Sequence, residues 1–400
     1  MKRMSVCLNS MKSRCFILFA SLSLLLATTS CNNDKLEFND PQTPKQYTKA
    51  ELIEQALDRM PKTRANGDIP IVMITKGKTV TMMVEPNKGK QLRVYWGEGE
   101  EESELISGFE IIGHTYHDNK PSHAIFFEGK PDAIKELWAD QNDLIFLDIA
   151  RNRGLTHLSC SNNELDMLDL TGCNALKTLI ASVNHLSSIE LSHLKYLEDL
   201  LLDYNDLTSV DISDHLQLQS LNLGYNSKLK HLKLSNLPSL TGLYLGNLSI
   251  ETFNDEPVTD STFSFADFRQ LRDLELIYTT FITSLDISNN PYLEILNINT
   301  SHIKKLNMSN GAIAYVFAEK SLLTDLMYDP DRILNLRDFR ITGTPFELSG
   351  SPLNLFLTSG LPFRSSEEPG KLYVSRDGQE KIAPLIPYLK IKNWEVINPL

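Results

Sequence analysis

Apolar residues recur along the middle of the chain at fixed places in a unit of 21 residues. The clearest unit is 155–175, LTHLSCSNNELDMLDLTGCNA, with leucine or cysteine at places 1, 4, 6, 11, 14 and 16. Units begin at Ile134, Leu155, Leu176, Leu197, Leu218, Leu240, Leu271, Leu293, Ile313 and Leu336. The unit at Leu240 is lengthened by an insertion, 254–270. The spacing predicts one repetitive domain over residues 131–350.

Each unit predicts two short extended segments. Places 4 and 6 are apolar and alternate with outward positions, as in a strand that buries one face. In the clearest unit Leu165, Leu168 and Leu170 form a second apolar row, which we place on the opposite wall. One unit cannot bury both rows alone, so the units are predicted to stack and to share one continuous core.

Asparagine occupies place 9 of the first five units, where the chain turns off the strand. These residues are Asn142, Asn163, Asn184, Asn205 and Asn226. A buried side-chain amide can satisfy backbone groups of its own turn and of the neighbouring coil. We therefore predict a structural role for this column rather than a role in ligand binding.

The pattern LxxLx(L/C/A)xxNxLxxL(D/E)(L/I) resembles that of leucine-rich repeats, most of all a bacterial subtype with a second LxxLDL half. The resemblance implies a solenoid over 131–350. It also implies a non-enzymatic protein that serves as a protein–protein interaction scaffold. Residues 351–400, within which 371–397 predict a strand, a helix and a strand, are expected to cap the C-terminal end of the core.

Residues 67–130 contain short β-rich runs separated by turn residues, which predicts a small antiparallel β-sandwich. Residues 95–99, YWGEG, followed by residues 113–116, GHTY, resemble the WGDG and HTY pattern of PKD-like domains. Trp96 and Tyr116 are expected to be core aromatics. The predicted fold class is mainly β: a leucine-rich repeat solenoid preceded by a PKD-like sandwich.

The N-terminus predicts a targeting segment. Residues 1–30 combine four basic residues with an apolar run that is too short to span a membrane. Either Met1 or Met11 is the start. Residues 28–31, TTSC, resemble the lipobox of bacterial lipoproteins, the alternative being an ordinary cleaved signal. The resemblance implies lipid on Cys31 and a place in the cell envelope, at the outer membrane or the cell surface. Residues 31–66 are interpreted as a tether with a short helix, predicted to begin after Thr48.

The formal net charge is −12, and removal of residues 1–30 makes it more negative because that segment has no acidic residue. Such a charge opposes binding to nucleic acid or to an anionic membrane surface. We therefore expect no nucleic acid partner, and membrane contact only through the lipid anchor.

Place 15 forms the most orderly row of carboxylates. Its residues are Asp148, Asp169, Glu190, Asp211, Lys233, Asp286 and Asn307. Stacked coils about 4.8 Å apart would align these oxygens for a calcium ion. Alternatively, each side chain accepts a backbone hydrogen bond or faces solvent, which the interrupting Lys233 favours. The sequence has no HExxH, GxSxG or P-loop motif, so we expect no metal, cofactor or catalytic residue.

Places 3, 5 and 7 of each strand are predicted to point away from the core and to line the concave face of the solenoid. A contiguous apolar row ringed by charge is typical of a binding surface. The predicted ligand-binding residues are Trp138, Ile180, Asp199, Leu201, Asp203, Tyr244, Asp273, Tyr315 and Phe317. The alternative is that the curved sheet or the insertion covers this row.

The expected partner is another protein. Because PKD-like modules and exported lipoproteins often serve carbohydrate uptake, a glycan-binding accessory role is the alternative. Residues 260–262, DST, also resemble an O-glycosylation acceptor of exported proteins, which makes Ser261 a possible modification site.

The lipobox resemblance generates a direct test. Replacing the nucleophilic thiol in Cys31→Ser should move the protein from the membrane fraction into the soluble fraction and abolish labelling with a radioactive fatty acid. A variant that stays with the membranes while the original protein takes no label would contradict the lipoprotein interpretation.

Overall fold

The computed structural model describes residues 47–57, 71–98, 103–259 and 263–399. Cys31, Ser261 and the predicted signal peptide lie outside the described residues. Helix α1, Lys49–Leu57, confirms the helix predicted after Thr48. The Thr48 amide donates to Glu51 Oε2 at 2.8 Å, and the Glu51 amide donates to Thr48 Oγ1 at 3.3 Å. These two bonds form a capping box.

Six strands follow helix α1 and pair only antiparallel with one another. They are β1 (Ile71–Thr75), β2 (Thr79–Pro86), β3 (Leu92–Tyr95), β4 (Ser103–Ile106), β5 (Glu110–Thr115) and β6 (His123–Glu128). Trp96 and Tyr116 are each 2 % exposed, which confirms them as core aromatics. That these strands form a separate PKD-like domain stays a prediction.

The first repeat unit joins this region to the solenoid. Its strands are β7 (Ile134–Trp138) and β8 (Leu144–Asp148), and β9 (His157–Ser159) opens the second unit. Strand β7 pairs antiparallel with β2 and parallel with β9, whereas β8 pairs antiparallel with β1. The buried residues of both regions form one hydrophobic core. The N-terminal sheets therefore continue directly into the two walls of the coils.

The remaining repeat units contain short strands at matching places. They are β10 (Thr178–Ile180), β11 (Asp199–Leu201), β12 (Ser209–Asp211), β13 (Ser220–Asn222), β14 (His231–Lys233), β15 (Gly242–Tyr244), β16 (Thr252–Phe253), β17 (Glu256–Pro257), β18 (Asp273–Glu275), β19 (Ser284–Asp286), β20 (Ile295–Asn297), β21 (Lys305–Asn307), β22 (Tyr315–Phe317), β23 (Asp325–Met327) and β24 (Asp338–Arg340).

The C-terminal region adds helices and two more strands. These are a 3₁₀ turn (Pro345–Leu348), α2 (Ser351–Leu355), a π-helical turn (Phe356–Gly360), β25 (Gly370–Tyr373), α3 (Arg376–Ile382), a 3₁₀ turn (Ala383–Leu385), α4 (Ile386–Ile391) and β26 (Trp394–Ile397). The strand, helix and strand predicted within 371–397 are confirmed. Trp394 is buried, and its indole N–H donates to the Pro362 carbonyl at 2.7 Å.

One long sheet runs through the described chain, in the order β5-β2-β7-β9-β10-β11-β13-β15-β18-β20-β22-β24-β25-β26. From β7 to β26 the pairs are parallel, and place 5 of each unit lies opposite place 5 of the next. The repeat spacing therefore fixed the register. The insertion does not interrupt this sheet, since Tyr244 pairs directly with Glu275.

The asparagine column ties adjacent coils together, as predicted. Asn184 Nδ2 donates to the carbonyl of Cys160 in the preceding coil at 3.0 Å and to that of Ala181 in its own coil at 3.2 Å. Its Oδ1 accepts from the Leu165 amide at 3.0 Å. Asn163, Asn205 and Asn226 repeat this arrangement. Each asparagine thus satisfies buried backbone groups on both sides of a coil junction.

The insertion lies on the second wall. Strand β17 pairs with β16 at the edge of the sheet β12-β14-β16-β17, and a separate sheet, β19-β21-β23, follows it. Phe263, Phe265 and Phe268 are buried. Phe263 packs against Phe253, with 4.5 Å between the ring centroids. The described part of the insertion therefore fills the core where the second-wall strands are interrupted.

Core packing gives the second test. Leu200 is fully buried between complete coils, so Leu200→Ala should leave a cavity and lower the free energy of unfolding by about 2–5 kcal/mol. Leu216 is 51 % exposed, and Leu216→Ala should change it by less than about 0.5 kcal/mol. Equal losses in urea unfolding would show that the assignment of places to the core is wrong.

Candidate functional site

The outward side of the long sheet corresponds to the predicted concave face, and we call it the sheet face. Its strands alternate buried residues at place 4 with half-buried residues at places 3 and 5. All nine predicted binding residues lie on this face and are half-buried: Trp138, Ile180, Asp199, Leu201, Asp203, Tyr244, Asp273, Tyr315 and Phe317. The structure therefore places them on one side of one sheet.

The apolar residues of the sheet face are less exposed than the repeat pattern indicated. The Arg340 guanidinium lies over the Phe317 ring at 4.8 Å, and Trp138 packs against His157 with 4.6 Å between centroids. The hydroxyl of Tyr244 donates to Asp273 Oδ2 at 3.1 Å. Neighbouring strands are only about 4.8 Å apart, so side chains of adjacent coils cover one another.

The apolar row begins earlier in the chain than the repeat. Met83 of β2 pairs with Trp138 on one side and with Ile111 of β5 on the other. Ile111 is 68 % exposed, and Phe109 meets the Trp138 ring edge-on at 6.0 Å. Sequence reasoning assigned Phe109 and Ile111 to a separate domain and so missed them, because only the strand pairing shows that β2 and β5 extend the sheet face.

A row of tyrosines borders the sheet face and was also missed. Tyr204 and Tyr225 both occupy place 8, with φ near 54° and 59°. Their rings stack with 4.2 Å between centroids and 6° between planes. Tyr278 occupies the same place and is 48 % exposed. The sequence contained a signal for this row, because tyrosine stands at place 8, directly before the turn, in three units. The left-handed backbone at place 8 directs the tyrosine side chain to the edge of the sheet face.

The central carboxylates of the sheet face are desolvated. Burial raises the pKa values of Asp199, Asp203 and Glu275, and it raises the pKa of Asp273 to about 6. The negative charge of Asp273 further raises the pKa of Glu275. Asp203 accepts a hydrogen bond from the Ser182 hydroxyl at 2.5 Å. Within the described residues none of these carboxylates forms an ion pair with lysine, arginine or histidine. Hydrogen bonds from the neutral side chains of Ser182, Tyr244 and Asn297 therefore stabilise these partly buried charges in part, but no positive side chain does.

The carboxylates of place 15, on the second wall, behave in the opposite way. Asp169 Oδ1 accepts from the Thr171 amide at 2.9 Å and from its hydroxyl at 2.6 Å. Glu190 Oε1 accepts from the Ser192 amide at 2.9 Å. These bonds lower the pKa values of Asp169 and Glu190. The row thus caps local turns, and no group of three or more potential metal ligands occurs in the described part of the chain.

Positive charge is missing from most of the sheet face. Places 3, 5 and 7 of the nine units from Ile134 to Asn335 contain no lysine or arginine. Arg340, in the tenth unit, is the first, and its guanidinium contacts Asp338 at 3.0 Å. The central carboxylates therefore form one strongly acidic, aromatic-rimmed surface.

Cys160 and Cys173 are free, buried thiols. Burial raises the pKa of the Cys173 thiol to about 12. His114 and His123 contact Glu98 and Asp118, at 2.9 and 3.3 Å respectively. Among the described helices, none has the length and apolar character that crossing a membrane requires.

The chain is similar to several solved structures at low sequence identity. No family model and no curated protein matches the chain. The functional domain of InlJ from Listeria monocytogenes, whose structure includes a cysteine ladder, is 19 % identical, with a TM-score of 0.33, over 55 % of this chain and 61 % of that one. The leucine-rich repeat domain of APL1B is 16 % identical, with a TM-score of 0.36, over 63 % of this chain and 76 % of that one. YopM from Yersinia enterocolitica is 20 % identical, with a TM-score of 0.33, over 53 % of this chain and 52 % of that one.

Each TM-score lies below 0.5, so the fold assignment depends on the coil geometry of the chain itself. Parallel strands at place 4, a shared core and the asparagine column together define a solenoid of the leucine-rich repeat type.

The raised pKa of Asp273 gives a test of the uncompensated charge. Between the unfolded value of 3.8 and the folded value of about 6, the native state binds more protons than the unfolded state. Stability should therefore fall as pH rises through this window. Asp273→Asn keeps an acceptor for Tyr244 and removes the charge. It should raise the free energy of unfolding at pH 7.5 by about 1–2 kcal/mol and change little at pH 4.

Asp267→Asn is the matched control, because Asp267 is exposed; it should leave the free energy of unfolding unchanged at both pH values. Loss of stability in Asp273→Asn at pH 7.5 would show that the Asp273 charge is compensated.

Proposed function

We propose that the protein is a non-enzymatic interaction scaffold that binds another protein through the sheet face. The observation that carries the proposal is the set of half-buried carboxylates Asp199, Asp203, Asp273 and Glu275, which have no cationic partner among the described residues. The aromatic residues beside them supply the large contact areas that are common at binding hot spots.

The position of these carboxylates lowers the stability of the folded state. Desolvating a carboxylate without a compensating charge destabilises the folded state. A fold that needed only stability would place amides or hydroxyls at these positions, as it does at Ser220 and Asn222 of strand β13. Local features that lower stability without a structural benefit are typical of functional sites. An arriving partner with positive charge would remove this cost.

We further propose that the scaffold is a lipoprotein of the cell envelope, anchored through Cys31. Support comes from the basic and apolar segment before residues 28–31 and from the polar stretch that follows it. An acidic protein held in this way would meet protein partners outside the cytoplasm. The negative charge of the sheet face disfavours nucleic acid as its ligand.

Site-specific photo-crosslinking tests the scaffold function. Benzoylphenylalanine replaces Leu201 or Phe317 on the sheet face in cells that naturally produce the protein. Ultraviolet light should then give an adduct of one discrete mass from both positions, because both side chains lie on the same side of the long sheet.

The same residue at Met167, which is 66 % exposed and lies off the sheet face, is the control and should give no such adduct. The thermal midpoint of each purified variant shows that the fold is retained. The proposal fails if the sheet-face positions give no adduct, or if Met167 gives the same one.

A further inference from the structure

The centre of the sheet face brings carboxylates and phenol rings from several coils into one cluster. Asp273 and Glu275 stand at alternate positions of strand β18 and therefore share one face of the sheet. Burial raises the pKa of Glu275, and the charges of Asp273 and Asp203 raise it further. The cluster spans strands β11, β13, β15 and β18, which are consecutive in the sheet. At about 4.8 Å per strand, it extends over roughly 14 Å.

The stacked pair Tyr204 and Tyr225 borders this cluster. Burial raises the pKa values of Tyr204 and Tyr225, and the negative charge of Glu275 raises both further. The charge of Asp203 adds to the effect on Tyr204. Both rings are half-buried, so part of the stack remains open to solvent. An aromatic face beside a carboxylate offers a cation two favourable contacts at once: the ring quadrupole and the ionic charge.

Among the described residues, no lysine or arginine contacts the Tyr204–Tyr225 pair in this way. The sheet-face places of the first nine units have no lysine or arginine. Where the chain does supply a guanidinium, at Arg340, it lies between the rings of Phe317 and Tyr373, at 4.8 and 4.3 Å, and contacts Asp338. At the C-terminal end of the sheet face, Arg340 thus shows how a guanidinium binds between aromatic rings and beside a carboxylate. The centre of the sheet face has the rings and the carboxylates but lacks the cation.

We propose that the partner contributes an extended, arginine-rich segment that lies across strands β11 to β18, with guanidinium groups on Asp203 and Glu275 and against the Tyr204–Tyr225 pair. This inference rests on the proposed scaffold function and names the chemistry of its partner. Arginine fits better than lysine, since its planar group binds a carboxylate through two N–H groups and stacks on an aromatic ring. An extended chain fits the span, because four residues cover roughly 14 Å.

Synthetic peptides test the proposal directly on the purified protein. The probe is a twelve-residue peptide of alternating arginine and serine, which places every guanidinium on one side of an extended chain. Matched peptides replace arginine with lysine or with glutamate. By calorimetry the arginine peptide should bind about 3–10-fold more tightly than the lysine peptide, and the glutamate peptide should not bind.

Two charge-matched variants separate the site from the overall charge of the protein. The sheet-face variant combines Asp199→Asn, Asp203→Asn, Asp273→Asn and Glu275→Gln. The control variant combines Glu256→Gln, Asp267→Asn, Asp331→Asn and Glu367→Gln, all at exposed residues. The sheet-face variant should lose about 100-fold or more in affinity for the arginine peptide, and the control about 3-fold or less. Equal losses would overturn the proposal.

A double variant tests the role of the tyrosine pair. Tyr204→Leu with Tyr225→Leu keeps an apolar rim and removes both aromatic rings, so it should erase the preference for arginine over lysine. If the preference for arginine persists, the tyrosines are not part of the binding site. If spermidine binds as tightly as the arginine peptide, the ligand is a small polyamine and the segment is the wrong occupant.

The two proposals fail in distinguishable ways. Discrete adducts from Leu201 and Phe317 together with no binding of the arginine peptide would leave the scaffold function standing and refute the cationic segment. Binding of the arginine peptide with no adduct in cells would show an acidic site that serves no protein partner in those cells.

Discussion

The stacked asparagines are the interaction on which the coil architecture depends. A coil that leaves its strand must bury turn amides and carbonyls, which cost free energy when unpaired. Asn163 and its equivalents satisfy these groups on both sides of each junction. The first member, Asn142, bonds the Thr81 backbone of strand β2 instead, with its Oδ1 accepting at 2.8 Å and its Nδ2 donating at 2.9 Å. The N-terminal sheets thus take the place of a preceding coil.

Additional strands close both ends of the solenoid. At the N-terminus both walls continue into antiparallel sheets. The strands of these sheets cover the first apolar rows of the solenoid. At the C-terminus β25 and β26 extend the long sheet, and Trp394 packs beneath them. A repeat protein needs such ends because every internal coil depends on its neighbours for burial. The sheet face is consequently longer than the repeat.

Carboxylates serve two distinct purposes on the two walls. On the second wall, residues such as Asp169 accept bonds from the backbone of the next turn, and their pKa values fall. On the sheet face, Asp203 and Asp273 accept bonds from the Ser182 and Tyr244 hydroxyls, but burial dominates and their pKa values rise. The same residue type therefore stabilises the fold in one place and costs stability in the other. The difference supports the proposal that the sheet face is a binding surface.

The sequence alone determined the strand register, the core rows and the structural role of the asparagines, because a fixed spacing of leucines permits only one stacking. It also determined which residues point outward, since Leu201 and Tyr244 alternate with buried neighbours. Only the tertiary structure decided how far these outward side chains are buried. Their burial depends on side chains of neighbouring coils, as where Arg340 lies over Phe317. The pairing of Ile111 with Met83 and the stacking of Tyr204 on Tyr225 likewise join residues distant in sequence, which no local pattern encodes.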